Sequence, residues 1–324
     1  MNQPVFILGA HKSGSSLLRS LLDGHPDLFV VPFEAHFFQM AHFWVDYRLR
    51  KTRPPMLSLA KTKDEYFKLV EIYNTHQDPS SDANLVGKID LSRFKAKLAN
   101  ETATFKETIP LYVEAIHEGL YGKELKRDLR IVEKSVEHAE FALDLKNMFP
   151  DAKFLYILRN PYANLVALRK HIGRKRYPFL GRILLSLNNS YYHLYRNKRL
   201  LNNDYLVIRY EDLVTSPMVT MESVAKFLEI EYLDILLKPT SMGKLWTGNS
   251  TRQVQFSGVS SSNLNRWHKD ITSLEITYVT KFFRFLLEDY QYDALKPQPL
   301  RSLLPCWNEG PLHYIYNRCI HLFM

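Results

Sequence analysis

"PVFILGAHKSGSSLLRSLLDGHP", residues 4–26, decides the fold. Its apolar opening has the length and composition of a buried parallel strand, and "SSLLRSLL" has the spacing of a helix that follows it directly. Between the two lies a turn close to the phosphate-binding pattern GxxxxGK(S/T), with Gly9 and Gly14 in place and Ser16 at the hydroxyl position. The lysine breaks the pattern. Ser15 fills its slot, and Lys12 comes ahead of the second glycine. Amide groups of a glycine turn, together with the positive end of a helix, make an anion cradle. The expected ligand is therefore anionic, but it does not need the lysine that grips β and γ phosphates.

Working outward, short apolar runs recur: "LFVVP" (28–32), "RIVEKS" (130–135), "KFLYILR" (153–159) and "YLVIRY" (205–210). Helical spacing occupies 14–23, 64–75, 105–120, 138–148, 161–170 and 179–202. Strand and helix in alternation predict an α/β fold, a central parallel sheet flanked by helices. Residues 33–129 interrupt the rhythm and read as a mainly helical, substrate-side insertion within one domain spanning 1–324, with a tail over 293–324. The Ser-, Gly-, Asn- and Thr-rich stretch 239–270 predicts a long functional loop.

Composition narrows the function. The 324 residues are 46% hydrophobic, enough for a sizeable core, and 43 basic against 34 acidic residues leave a net charge of +9. That balance favours anionic partners. No zinc spacing, helix-turn-helix signature or basic tail points to nucleic acid. Two cysteines, Cys306 and Cys319, make no disulfide framework or metal pair. No signal peptide and no apolar run of roughly 18 residues is seen, so a cytoplasmic protein without a transmembrane segment is expected. No HExxH spacing and no GxSxG elbow occurs, so neither metalloprotease nor serine hydrolase chemistry is indicated.

The strand "KFLYIL" ends in Arg159, where a magnesium-dependent kinase would hold its metal with an acid. A cation there attracts a second phosphate. Together with the displaced lysine, it fits a nucleotide with separate anionic groups at two positions, 3'-phosphoadenosine-5'-phosphosulfate (PAPS). A magnesium-dependent small-molecule kinase and a non-catalytic glycan- or nucleotide-binding protein are the alternatives.

"HKSGSSLLRSLLDGHPDLFVVPFE" (11–34) resembles the 5'-phosphosulfate segment of PAPS-dependent sulfotransferases, in the style of their carbohydrate and protein-tyrosine branches. "YILRNPYANLVALRKH" (156–171) is similar to the family's 3'-phosphate segment, "VIRYEDLVTSP" (207–217) to its RYEDL stretch, and "VEKSVEH" (132–138) to EKTPxH. The resemblance implies a P-loop-like sheet and sulfuryl transfer from PAPS to a hydroxyl acceptor, a carbohydrate first and a peptide tyrosine second, with no metal required.

It also implies roles. His11, Lys12, Ser13, Gly14, Ser15 and Ser16 would hold the 5'-phosphosulfate, with Lys12 at the bridging oxygen; Lys134 would face the transferring group; Glu34 would be the general base, with His36 its nearest rival. Arg159 would take the 3'-phosphate, helped by Arg252 and Arg266 in the long loop. One departure is Ala167, where the family commonly has a serine. Arg19 is expected to be a solvated helix arginine, and Tyr210 and Glu211 to be structural. "RKHIGRKR" (169–176) is expected to be a solvated basic face or a welcome for an anionic glycan or acidic peptide. The aromatic "HYIYNRCIHLFM" (313–324) has the composition to dock on the core, a second copy or a membrane surface.

Overall fold

The computed structural model describes residues 1, 3–43, 57–76, 84–173, 175–248 and 258–320. Five strands form one sheet: β1 (Val5–Gly9), β2 (Leu28–Val30), β3 (Arg130–Lys134), β4 (Lys153–Leu158) and β5 (Tyr205–Arg209). They are all parallel, in the order β2-β3-β1-β4-β5. The chain leaves β1 toward β2 on one side and later returns to β4 on the other. The order therefore reverses at the carboxyl end of β1, the crevice in which open α/β sheets bind ligands. The glycine turn sits there.

Alternation along the strands feeds two cores. Phe6, Leu8, Phe154 and Tyr156 point to one face, and Val5, Ile7, Leu155 and Ile157 to the other. The second face is covered by α1 (Ser15–Leu22) among other helices. The first carries α2 (Phe37–Met40), α3 (Leu59–Thr75), α4 (Leu91–Leu98) and α5 (Phe105–Tyr121), the helices of segment 33–129. Its Tyr66 and Tyr112 stack at 3.9 Å within the same cluster as Phe6 and Phe154, so the insertion shares the sheet's core.

The remaining helices are α6 (Ala142–Met148), α7 (Pro161–Ile172), α8 (Leu180–Leu201), α9 (Tyr210–Thr215), α10 (Pro217–Leu228), α11 (Ser273–Phe282), α12 (Arg284–Asp289), α13 (Pro299–Ser302) and α14 (Pro311–Arg318). The "RNP" step after β4 is locally determined. Arg159 ends the strand run, Asn160 caps α7 by accepting from the amides of Tyr162 and Ala163, and Pro161 takes the first helical position. Arg19 is 1% exposed, contrary to the expected solvated position, because α1 is buried on nearly every side, with Leu17 alone of its residues not fully buried.

Candidate active site

Gly14 precedes α1 with φ 106°, left-handed backbone that favours glycine, and a Cβ there would lie 2.3 Å from the Tyr210 ring. Gly9 is needed for closeness: its Cβ would meet the Ile157 carbonyl at 2.9 Å. Between them Lys12 also has positive φ, 63°, a conformation costing a non-glycine residue of order 1 kcal/mol. The turn thus holds Lys12 in a strained form at the mouth of α1. Ser13 departs from expectation. It is fully buried with its hydroxyl beneath Gly9 and without a hydrogen-bond partner among the described residues, so it lies behind the cleft wall.

The segment after β4 braces this turn. The Arg159 guanidinium donates to the Lys12 carbonyl (3.0 Å), and Asn164 Nδ2 donates to the His11 carbonyl (2.7 Å). Arg159 also lies over the Tyr210 ring, 4.7 Å from its centroid. Arg159 Nε is buried without a hydrogen-bond partner among the described residues, a donor that an anion would satisfy. Tyr210 therefore touches the site directly, shaping both Gly14 and Arg159. Glu211 accepts from the Asn160 amide (3.0 Å) and the Tyr292 hydroxyl (2.8 Å).

Across the cleft, Glu34 just past β2 accepts from the Lys134 ammonium at the end of β3. His36 Nε2 lies 3.4 Å from the other Glu34 oxygen and its Nδ1 3.7 Å from Glu137, which in turn pairs with His11 at 3.2 Å. Lys134, Glu34, His36, Glu137 and His11 thus alternate basic and acidic side chains along one wall. Partial desolvation opposes the charge on the half-exposed His11, but the Glu137 carboxylate outweighs it and raises the imidazole's pKa. Burial likewise opposes ionisation of Glu137, and the His11 and His36 rings hold it well below the ordinary carboxylate range.

The loop carrying Glu34 is fixed from beneath. Buried Glu133 accepts from the Ala35 amide (3.1 Å) and bonds His138 Nδ1 (2.8 Å), while the Ser135 hydroxyl accepts from the His36 amide (3.1 Å). Burial raises the Glu133 pKa, and His138, Ser135 and the amide together bring it below normal. Alternation along β3 therefore gives Glu133 and Ser135 to the loop's backbone and Lys134 to its side chain.

One cleft of about 690 Å³ collects His11, Lys12, Gly14, Ser15, Ser16, Glu34, Lys134, Arg159 and Arg266. Of the expected residues, only Ser13 does not line it, and Arg252 lies outside the described residues. Ala167 lines it as well, and aromatic walls come from Phe33, Tyr73, Trp246 and Trp267. Trp267 is both wall and anchor, stacked on Tyr162 at 5.7 Å. The first two cations of the basic run depart from the expected solvated form, Arg169 buried against Glu275 and Lys170 paired with Asp270, while Lys175 and Arg176 are exposed. Glu34, His36 and Glu137 offer ligand atoms within 4.8 Å of one another, the spacing a divalent ion could bridge. Lys134 and His11 already supply positive charge to those carboxylates, so an ion there would meet two cations.

A parallel five-strand sheet with a glycine turn at its switch point and cations converging on it defines a P-loop-like α/β protein. Residues 4–234 match the model described as the sulfotransferase family, and the chain belongs to that family. Its fold is similar to that of the sulfotransferase domain from the olefin synthase of Synechococcus PCC 7002, with a TM-score of 0.56, 20% identity, and coverage of 90% of this chain and 97% of that one. The sulfotransferase domain from the curacin biosynthetic pathway gives a TM-score of 0.52 at 20% identity, covering 83% of this chain and 91% of that one. No curated protein matches the chain by sequence.

Proposed function

We propose that the chain transfers the sulfuryl group of PAPS to a hydroxyl acceptor, releasing 3',5'-ADP. The observation that carries this reading is the convergence of Lys12, Arg159, Lys134 and Glu34 on one cleft at the carboxyl ends of neighbouring strands. Lys12, His11, Ser15, Ser16 and the first turn of α1 would hold the 5'-phosphosulfate. Arg159, with Arg266 and Arg252, would hold the 3'-phosphate. With Ala167 in place of a serine, that phosphate must find its hydroxyl-type contact elsewhere, and the Nδ2 of Asn164 is already engaged by the loop.

Glu34 would accept the proton of the acceptor hydroxyl. The acceptor oxygen then forms its bond to sulfur in line with the breaking sulfur–oxygen bond, and the electron pair departs with the 5'-phosphate. Lys12 and Lys134 offset the charge that builds on that leaving oxygen. No step needs a metal. We read residues 1–324 as one such domain, with 33–129 supplying the acceptor side through Phe33, Glu34, His36 and Tyr73. The aromatic wall beside polar groups suits a carbohydrate, whose apolar faces stack on rings, with a peptide tyrosine as the second class.

The Glu34, His36 and Glu137 spacing supports one rival, metal-assisted phosphoryl transfer from ATP. Melting temperatures with 3',5'-ADP or ATP, each with and without magnesium, separate the two. Stabilisation by 3',5'-ADP without magnesium, followed by labelled-sulfate transfer from PAPS to an acceptor panel, is the expected outcome. Stabilisation by ATP only with magnesium would overturn it. Nucleotide binding without transfer to any acceptor would favour a non-catalytic binder.

A further inference from the structure

Segment 297–320 and the turn that precedes α8 form a surface the proposed chemistry does not use. Leu300 is 83% and Leu312 78% exposed, and Leu303, Leu304, Trp307 and Ile315 are exposed as well. Leu312 and Ile315 fall on one stripe of α14 by their spacing. The elements carrying them are joined: Tyr314 donates to the Leu303 carbonyl (2.8 Å), Arg318 reaches the Leu304 carbonyl, and Trp307 lies edge-on to Tyr177 at 6.4 Å. An apolar patch of this kind marks a docking site.

Its border is cationic. Lys175, Arg176 and Arg182 line a groove shared with His313 of α14, Asn308 donates to the Lys175 carbonyl (2.6 Å), and Arg301 is exposed on α13. Residues 169–185 contain no acid, and 297–320 contain only Glu309, whose carboxylate is engaged by Arg318 at 2.7 Å. His171 and Ile172 border both this groove and the cleft.

We propose that this face docks the protein peripherally on an anionic lipid surface, with Leu312, Ile315 and Trp307 entering the headgroup boundary and Lys175, Arg176 and Arg182 meeting lipid phosphates. Charge decides the occupant. A second copy packed face to face would oppose these cations with the same cations, whereas an anionic bilayer supplies their counter-charge and takes up the leucines. No helix among the described residues is long and apolar enough to cross a membrane, so contact made by this face is at the surface. The shared border would set the cleft mouth beside the lipid, within reach of an acceptor held there.

Co-sedimentation tests this, using vesicles of equal parts phosphatidylcholine and phosphatidylglycerol against phosphatidylcholine alone. The whole chain should pellet with the anionic vesicles and remain in solution with the neutral ones. Removing the three cations (Lys175→Ala, Arg176→Ala, Arg182→Ala) should weaken partitioning about fivefold for each charge lost. Leu312→Ser with Ile315→Ser should abolish pelleting while leaving the thermal response to 3',5'-ADP intact. The tryptophan emission of the parent should shift blue on the anionic vesicles, and Trp307→Phe should remove that shift. Three results would overturn the proposal: no pelleting of the parent, unchanged pelleting of the leucine and isoleucine variant, or a doubled solution mass that this variant returns to monomer.

Discussion

Glu34 and Lys134, on neighbouring strand ends and 100 residues apart in sequence, share a hydrogen bond inside the cleft. The carboxylate proposed as the base is thus positioned by the cation proposed to face the sulfuryl group. Glu34→Gln keeps an oxygen for Lys134 but cannot take the proton. Sulfuryl transfer should fall by about 10²–10⁴-fold, with the melting shift produced by 3',5'-ADP unchanged. Transfer within a few-fold of the parent would move the base to His36, 3.4 Å away.

Arg159 has two tasks that one experiment can divide. It stacks on Tyr210 and holds the Lys12 carbonyl, and it offers a buried Nε to an anion. Arg159→Lys keeps the charge but loses the planar fork. Calorimetric titration should show affinity for 3',5'-ADP reduced about 10- to 100-fold, the loss of one charge-assisted contact, with 5'-AMP affected far less. An equal loss for both ligands would make Arg159 a loop brace and no reader of the 3'-phosphate.

Gly14→Ala tests the cradle. The new methyl would press on the Tyr210 ring at 2.3 Å and occupy left-handed backbone, so a loss of about 1–3 kcal/mol in stability is expected, together with loss of nucleotide binding. Tyr210→Ala in the same chain relieves the contact but not the backbone strain. Denaturant melts of the single and double variants should show partial recovery. Full stability of Gly14→Ala alone would contradict the described geometry.

The five strands are legible because each is a short apolar run ending at a polar residue, a glycine or a proline, as in "KFLYILR", "PVFILG" and "LFVVP". Helix α4 escaped sequence inspection: Leu91, Phe94 and Leu98 do share one face behind the Asp90 cap, but lysines and an arginine crowd the segment. Within the cleft, Lys12 and Arg159 could be paired through their motifs, although 147 residues separate them. Glu137 and Tyr210 could not, because their parts in the site come from tertiary neighbours: Glu137 from His11 and His36, Tyr210 from Gly14 and Arg159. Glu133 points away from Lys134, as strand alternation dictates, and acts on the Glu34 loop from below. Arg19 is buried rather than solvated because α1 is covered on nearly every side, which the spacing of apolar residues in a short helix does not reveal.

The His11–Glu137 pair sets a pH dependence whose sign follows from both partners. His11 has a raised pKa, so its protonated form contributes fully below the ordinary value of 6.5 and is lost as pH rises through the raised one. Glu137 has a depressed pKa, so its contribution is present above the ordinary 4.5 and is lost only as pH falls through the depressed one. Glu137→Gln removes what raises His11 most while the partial desolvation that lowers it remains. In an NMR titration the His11 midpoint should therefore move down from its position in the parent. The parent's melting temperature should decline as pH rises above 6.5 and His11 loses its proton, and the variant's should decline less over the same range. An unmoved His11 midpoint would mean that the 3.2 Å contact does not persist in solution, and that the row of basic and acidic groups from Lys134 to His11 is broken at Glu137.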